Sequence, residues 1–234
     1  MSNEPTEAGG NPVVDLVEAV KPRLRGWLHA GTFPVALLAG LVLTVLAPEG
    51  KARVGALVFT ITAALLFGTS AVYHRGTWSA KVNGVLKRLD HSNIFLIIAG
   101  SYTPFALTLL PTDQARSLLT IVWAGAVGGV LFRVFWVGAP RWLYTPIYVA
   151  LGWVAVFYFG PLLQNGGPAI VSLITAGGLL YTLGAVVYAT KRPNPSPRWF
   201  GFHEIFHAFT VAAFLTHYVA VSLAVYRVAE VTAS

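Results

Sequence analysis

Long runs of apolar residues dominate the chain, and short stretches rich in glycine, proline and charge separate them. Seven runs approach the length of about 20 residues that a membrane-spanning helix needs. The pattern predicts spanning helices at residues 28–47, 54–74, 90–110, 117–137, 142–162, 169–190 and 203–226. Because connections such as LPTDQAR and VGAPR contain residues that end helices, we expect an all-α integral membrane protein with seven transmembrane helices.

The same pattern divides the chain into a membrane domain with two tails. We predict a cytoplasmic N-terminal tail at 1–27, a seven-helix membrane domain at 28–227 and a short C-terminal tail at 228–234. In the first tail, Asn11-Pro12 is a helix-start signal, and apolar residues then recur at helical spacing opposite charged ones. This spacing predicts a short interfacial helix, with a frayed tail as the alternative. The acidic residues in this tail argue against a signal peptide.

Composition supports a membrane protein and excludes one kind of site. Hydrophobic residues make up 56% of the 234 residues and charged residues 11%, whereas a soluble domain carries about 25% charged residues. Because the chain has no cysteine, disulfides and thiolate ligands are excluded. A metal would have to be held by histidine, carboxylate or water.

The distribution of basic residues predicts the orientation in the membrane. The net charge of +7 could indicate a nucleic-acid partner, but the basic residues lie mainly between the apolar runs. Twelve of the 16 lysines and arginines fall on one side of the predicted bundle, and the exceptions are Lys51, Arg53, Arg116 and Arg227. The positive-inside rule therefore predicts a multi-pass protein of the cell membrane with a cytoplasmic N-terminus and an external C-terminus. We expect membrane lipids, and no nucleic acid, as partners.

Three polar stretches meet at one depth in this topology. His203 and His207 are four residues apart and share one face of the last helix. His74 ends the second helix, and Asp90 begins the third, both on the cytoplasmic side. Ionisable groups at membrane depth are rare and often functional. Three imidazole ligands with an open fourth position are the pattern of a catalytic zinc site.

Such a site could hydrolyse a lipid. Bound zinc lowers the pKa of its water towards about 7, and Asp90 could take the proton of that water or orient it. Ser70 shares a helix face with His74 and could hydrogen-bond to the water, to a group that supports the metal ligands or to a substrate carbonyl. Since the site would open to the inner leaflet, the predicted reaction is hydrolysis of a lipid amide or ester.

Three motifs that occur in order resemble the hemolysin III family. They are SAVYH at 70–74, LDHSNIFLIIAGSYTP at 89–104 and HEIFH at 203–207, and the resemblance covers about residues 20–227. This family comprises the bacterial relatives of the adiponectin and progestin receptors, the PAQR family. The resemblance implies zinc bound by His74, His203 and His207, with Asp90 and Ser70 near the metal-bound water. It also implies ceramidase-like hydrolysis and a role in membrane lipid homeostasis.

Alternative functions remain at this point. The protein could be a receptor-like sensor of the membrane state with a structural zinc, or a pore-forming haemolysin. The pattern HExxH at 203–207 also matches a metalloprotease helix, with Glu204 as the general base. No matching glycine-and-histidine extension follows it, and this apolar composition cannot form the soluble domain of such a protease.

Alternative roles also remain for single residues. Asp90 could simply stabilise the start of a helix through the helix dipole, and Ser70 could be a small packing residue. We expect His91 to lie behind the metal ligands or at the interface, and His29 to be interfacial. His217 lies about 15 Å deeper than His207 by helix rise, so we expect a buried polar contact there.

Overall fold

The computed structural model of the chain describes residues 22–233, with side chains up to residue 228. Its regular elements in this range are helices. They are α1 (Trp27–Leu46), α2 (Lys51–Arg75), α3 (Ala80–Leu109), α4 (Thr112–Phe135), α5 (Arg141–Gly152), a 3-10 helix (Val154–Tyr158), α6 (Phe159–Thr190) and α7 (Phe202–Ala233). The all-α prediction is thereby confirmed. The interfacial helix predicted in the N-terminal tail lies outside the described residues.

Six helical segments are long and apolar enough to cross a membrane. Helices α1 to α4 and α7 provide one segment each, and the sixth is a 50-residue segment over Arg141–Thr190. The sequence pattern predicted two spans in this region, at 142–162 and 169–190. An interruption does occur between them: Gly167 has a φ of 80° and a ψ of 172°, outside the helical range, and Pro168 follows it. Proline supplies no backbone N–H to a helix, which weakens the helix at the same point.

The two halves of this long segment contact each other. The indole N–H of Trp153 donates to the hydroxyl of Thr182 (3.0 Å). The hydroxyls of Tyr144 and Tyr188 lie 3.1 Å apart. Both pairs are nearly symmetrical about Gly167, so the chain on one side of this glycine lies against the chain on the other side.

Helix α3 begins ten residues earlier than the apolar pattern predicted. Ser79 caps its N-terminus by accepting a hydrogen bond from the backbone N–H of Val82 (3.4 Å). Asp90 therefore lies about three turns into the helix. Because the dipole effect is confined to the first turn, the interpretation of Asp90 as a helix-start residue is wrong.

Helix α3 is the central element and joins two apolar clusters. One cluster packs it against α1, α2 and α7 through buried residues such as Phe59, Phe67 and Phe214. The other packs it against α4 and α5 through Leu118 and Tyr148. Since α3 is fixed on both sides, the polar residues near its N-terminal third have a defined position relative to α2 and α7.

Candidate metal centre

Three histidine rings from two helices converge at one end of the bundle. His74 lies in the last turn of α2, and His203 and His207 lie in the first two turns of α7. The Nε2 atoms of His74 and His203 are 3.3 Å apart, and one ring nitrogen from each of the three lies within 4.8 Å of the others. Tetrahedral zinc bound at 2.0–2.1 Å places its nitrogen ligands about 3.3 Å apart. The three histidines can therefore hold a metal ion, and they are the three that the sequence predicted to meet.

The start of α7 is fixed by the segment that precedes α1. Backbone N–H groups of Arg23 and Leu24 donate to the carbonyls of Arg198 and Trp199 (3.0 and 3.3 Å). These bonds hold the two chain segments side by side just before α1 and α7 begin. The segment before α1 therefore helps to fix the position of the first turn of α7, which carries His203.

Glu204 belongs to this junction. Its Oε1 forms an ion pair with Nε of Arg25, and its Oε2 accepts a hydrogen bond from the backbone N–H of Gly201 (2.8 Å). The side chain is 1% exposed. Because both carboxylate oxygens are engaged in fixing the helix start, the structure gives Glu204 a structural role instead of that of a metalloprotease base.

We expect Glu204→Gln to destabilise the protein and to leave metal binding by the three histidines unchanged. Loss of the charge-assisted contacts should cost about 1–3 kcal/mol of unfolding free energy, measured as a lower thermal midpoint in detergent, with metal content unchanged. Glu49→Gln is the matched control, because Glu49 pairs with Arg53 while 87% exposed, and such pairs contribute little. A Glu204→Gln variant with unchanged stability would contradict this structural role.

Asp90 lies beside the histidines on α3. Its Oδ2 is 3.7 Å from Nε2 of His74, and the side chain is 14% exposed. No other carboxylate of the described residues lies within 4 Å of a ring nitrogen of His74. A carboxylate at this distance can accept a proton from a water molecule that lies between it and the histidines.

Ser70 contacts the site through a fourth histidine. Its Oγ is hydrogen-bonded to Nδ1 of His29 (2.8 Å), and the His29 ring stacks on that of His207 with centroids 3.8 Å apart and planes 3° apart. His29 is 2% exposed, so it is buried among the helices, and its position at the membrane interface stays a prediction. The signal that could have revealed it was its position in the first turn of an apolar helix, at the predicted depth of His74.

The two remaining histidines do not belong to the group of three ring nitrogens. His91 donates from Nδ1 to the carbonyl of Lys87 (2.7 Å) and is hydrogen-bonded through Nε2 to Tyr188 (3.2 Å). Nε2 of His217 lies 3.2 Å from the carbonyl of Ile174. The predicted buried polar contact of His217 is confirmed.

Two cavities meet at the site. The first, here called the apolar cavity, has a volume of about 100 Å³ and is lined by residues such as Leu66, Ile94, Ile97 and Phe206. The second, here called the basic vestibule, has a volume of about 760 Å³ and is lined by residues such as Arg25, Lys87 and Arg133. Four residues line both cavities: Asp90, His91, Tyr188 and His203. The histidine site therefore lies at the boundary between an apolar and a charged compartment.

These features define a multi-pass helical membrane protein with a buried histidine site near one end of its bundle. A sequence profile described as "Haemolysin-III related" matches residues 17–218. The chain belongs to this family, as its motifs had indicated, and is a protein of the cell membrane.

Named relatives extend from bacteria to animals. The chain is 34% identical to "Hemolysin-3 homolog" of Bacillus subtilis (strain 168) over 154 residues, 66% of this chain and 69% of the relative. It is 29% identical to "Hemolysin-3" of Bacillus cereus over 200 residues, 84% and 88% of the two chains. It is 22% identical to "Monocyte to macrophage differentiation factor" of Homo sapiens over 205 residues, 86% and 83% of the two chains. The family thus includes relatives of the PAQR type.

Proposed function

We propose that the protein is a zinc-dependent membrane hydrolase that cleaves an amide or ester bond of a lipid and takes part in membrane lipid homeostasis. The observation that carries this proposal is the convergence of His74, His203 and His207 beside the carboxylate of Asp90, at the junction of the apolar cavity and the basic vestibule. Three imidazoles suit zinc better than they suit magnesium or calcium, which prefer oxygen ligands.

The proposal includes seven membrane crossings with a cytoplasmic N-terminus. A continuous helix over the 50 residues of Arg141–Thr190 would be about 75 Å long, whereas the hydrocarbon core of a bilayer is about 30 Å thick. The interruption at Gly167 and the contacts between the two halves support a segment that crosses twice. The bias of lysine and arginine between the two sides supports the orientation.

Each residue at the site has a chemical task in this proposal. Zinc, when bound, supplies a Lewis acid that makes hydroxide available near neutral pH. Asp90 accepts the proton that water loses as its oxygen adds to the acyl carbon, and returns that proton to the departing nitrogen or oxygen. Ser70 and His29 support the ring of His207 through the hydrogen bond and the stacking contact, which keeps its orientation fixed.

A lipid is the substrate class that the surroundings favour. The apolar cavity beside Asp90 and His203 is lined by aliphatic and aromatic side chains, which would accept part of an acyl chain. The vestibule on the other side provides room for a polar head group and for water. An acyl bond at the boundary between the two would lie next to the histidines.

The second candidate is a membrane-state sensor with a structural zinc. It is favoured by the placement of the ligands, because His74 on α2 and the pair on α7 would join two helices through one ion. In that case metal would be bound without turnover of any lipid.

The test is lipid hydrolysis by the purified protein before and after removal of metal. A panel of acyl lipids with amide and ester bonds is incubated with the protein, and released fatty acid is measured. We expect release to stop after chelation and to return with added zinc. Zinc-loaded, folded protein that releases no fatty acid from any lipid of the panel would favour the sensor.

A further inference from the structure

Among the described residues that line the basic vestibule, cations outnumber carboxylates. The cations along its wall are Arg25, Lys87, Arg133, Arg141 and Lys191, and the one carboxylate among the described lining residues is that of Asp90. Glu204 neutralises Arg25 and does not line the cavity. A concave surface with one sign of charge concentrates ligands of the opposite sign.

Arg133 is a buried cation in this wall, and two of its hydrogen-bond donors are unsatisfied. It lies in the last turn of α4 and is 1% exposed. Its Nη2 donates to the carbonyl of Val137 (3.3 Å), and its guanidinium lies 4.3 Å from the centroid of the Tyr144 ring. Its Nε and Nη1 are buried and have no hydrogen-bond partner among the described residues. Buried arginines are almost always paired, so two unsatisfied donors point to a ligand.

The position of Arg133 in the membrane does not account for this arrangement. A basic residue in the last turn of a helix interacts favourably with the dipole, and a cytoplasmic cation helps to orient the protein. Neither effect requires burial of the guanidinium, and neither provides a hydrogen-bond partner for its Nε and Nη1. The planar fork of arginine matches the oxygens of phosphate or carboxylate.

We propose that the vestibule binds the phosphate-bearing head group of an anionic acyl lipid, with Arg133 as its main contact. The chain of that lipid enters the apolar cavity, and its acyl bond lies at the residues shared by both cavities, which include Asp90 and His203. The position of the cleaved bond rests on the proposed function. Binding of the head group does not, because none of its contacts requires the metal.

The experiment measures binding to the full-length protein in a non-ionic detergent after chelation of metal. The probes are dihexanoyl phosphatidic acid, dihexanoyl glycerol as its uncharged counterpart, and inorganic phosphate. We expect phosphatidic acid to bind at least about 10-fold more tightly than the glycerol lipid, and Arg133→Gln to weaken its binding about 10- to 100-fold, as loss of hydrogen bonds to a charged group implies.

Matched variants separate this site from general charge effects. Arg116→Gln removes an exposed arginine at the opposite end of the same helix, and we expect unchanged binding. Arg133→Lys keeps the charge and should bind better than Arg133→Gln. If Arg133 variants do not fold, Lys87→Gln tests the same cavity from α3, because Lys87 lines it with an exposed side chain; we expect weaker binding there too.

The outcomes distinguish this inference from the proposed function. Equal affinity for phosphatidic acid and the glycerol lipid, or unchanged binding in Arg133→Gln and Lys87→Gln, overturns it. If inorganic phosphate binds as tightly as phosphatidic acid, the site recognises free phosphate and not a lipid head group. If the protein hydrolyses lipids with zinc but does not distinguish charged from uncharged head groups, the proposed function stands and this inference is wrong. If phosphatidic acid binds through Arg133 but no lipid is hydrolysed, this inference stands and the proposed function is wrong.

Discussion

Asp90→Asn is expected to reduce lipid hydrolysis about 100- to 10,000-fold, the usual contribution of a general acid–base residue, with zinc content unchanged. Asparagine has nearly the same shape as aspartate, so packing around α3 should persist, but its amide cannot take up the proton that water must lose. The Oδ2 of Asp90 lies 3.7 Å from Nε2 of His74, so the substitution removes a negative charge directly beside the proposed metal ligands. Single-turnover release of fatty acid and metal analysis of the same sample check both parts.

A matched carboxylate controls for a general effect of charge. Asp113 lies exposed in the first turn of α4, far along the chain from any site residue, and Asp113→Asn should retain normal hydrolysis. Full turnover in Asp90→Asn would remove Asp90 as the proton acceptor. Loss of zinc together with activity would instead assign Asp90 to metal binding.

His74→Ala is expected to weaken zinc binding by more than about 100-fold and to abolish hydrolysis. Changes to groups that merely support metal ligands cost about 10- to 100-fold in affinity, and removal of a ligand should cost more. His74 is also the only ligand contributed by α2, so the two histidines of α7 would be left without their partner from another helix. Competition with a chelator of known zinc affinity measures the effect.

His217→Ala is the control for loss of a buried histidine. His217 lies on α7 and is hydrogen-bonded to Ile174 away from the other three rings. We expect lower thermal stability in this variant, because a cavity is created, and zinc affinity close to that of the wild type. Zinc affinity that survives in His74→Ala would contradict the three-histidine site.

The convergence of the three histidines could be predicted because charge and hydropathy indicate the depth of a residue in the membrane. Apolar runs located His74, His203 and His207 near helix ends, and the lysine and arginine bias put those ends on one side. The early start of α3 was missed because residues 80–89 are rich in polar and basic side chains. Such residues can continue a helix beyond the bilayer as easily as they can form a loop.

Long-range pairing could not be predicted from the sequence. Arg25 and Glu204 are 179 residues apart, and no local pattern connects them. The stacking of His29 on His207 likewise depends on how α1 packs against α7. Arg133 looked like one of many cations that orient the chain, and only its burial distinguishes it.

Metal analysis of the purified wild-type protein, beside His203→Ala/His207→Ala, is the most direct test of the histidine site. The expected result is about one zinc per chain in the wild type and almost none in the variant, with both proteins folded. Folded wild-type protein that takes up no zinc, even when zinc is supplied, would contradict the site and reduce the three histidines to a polar packing cluster.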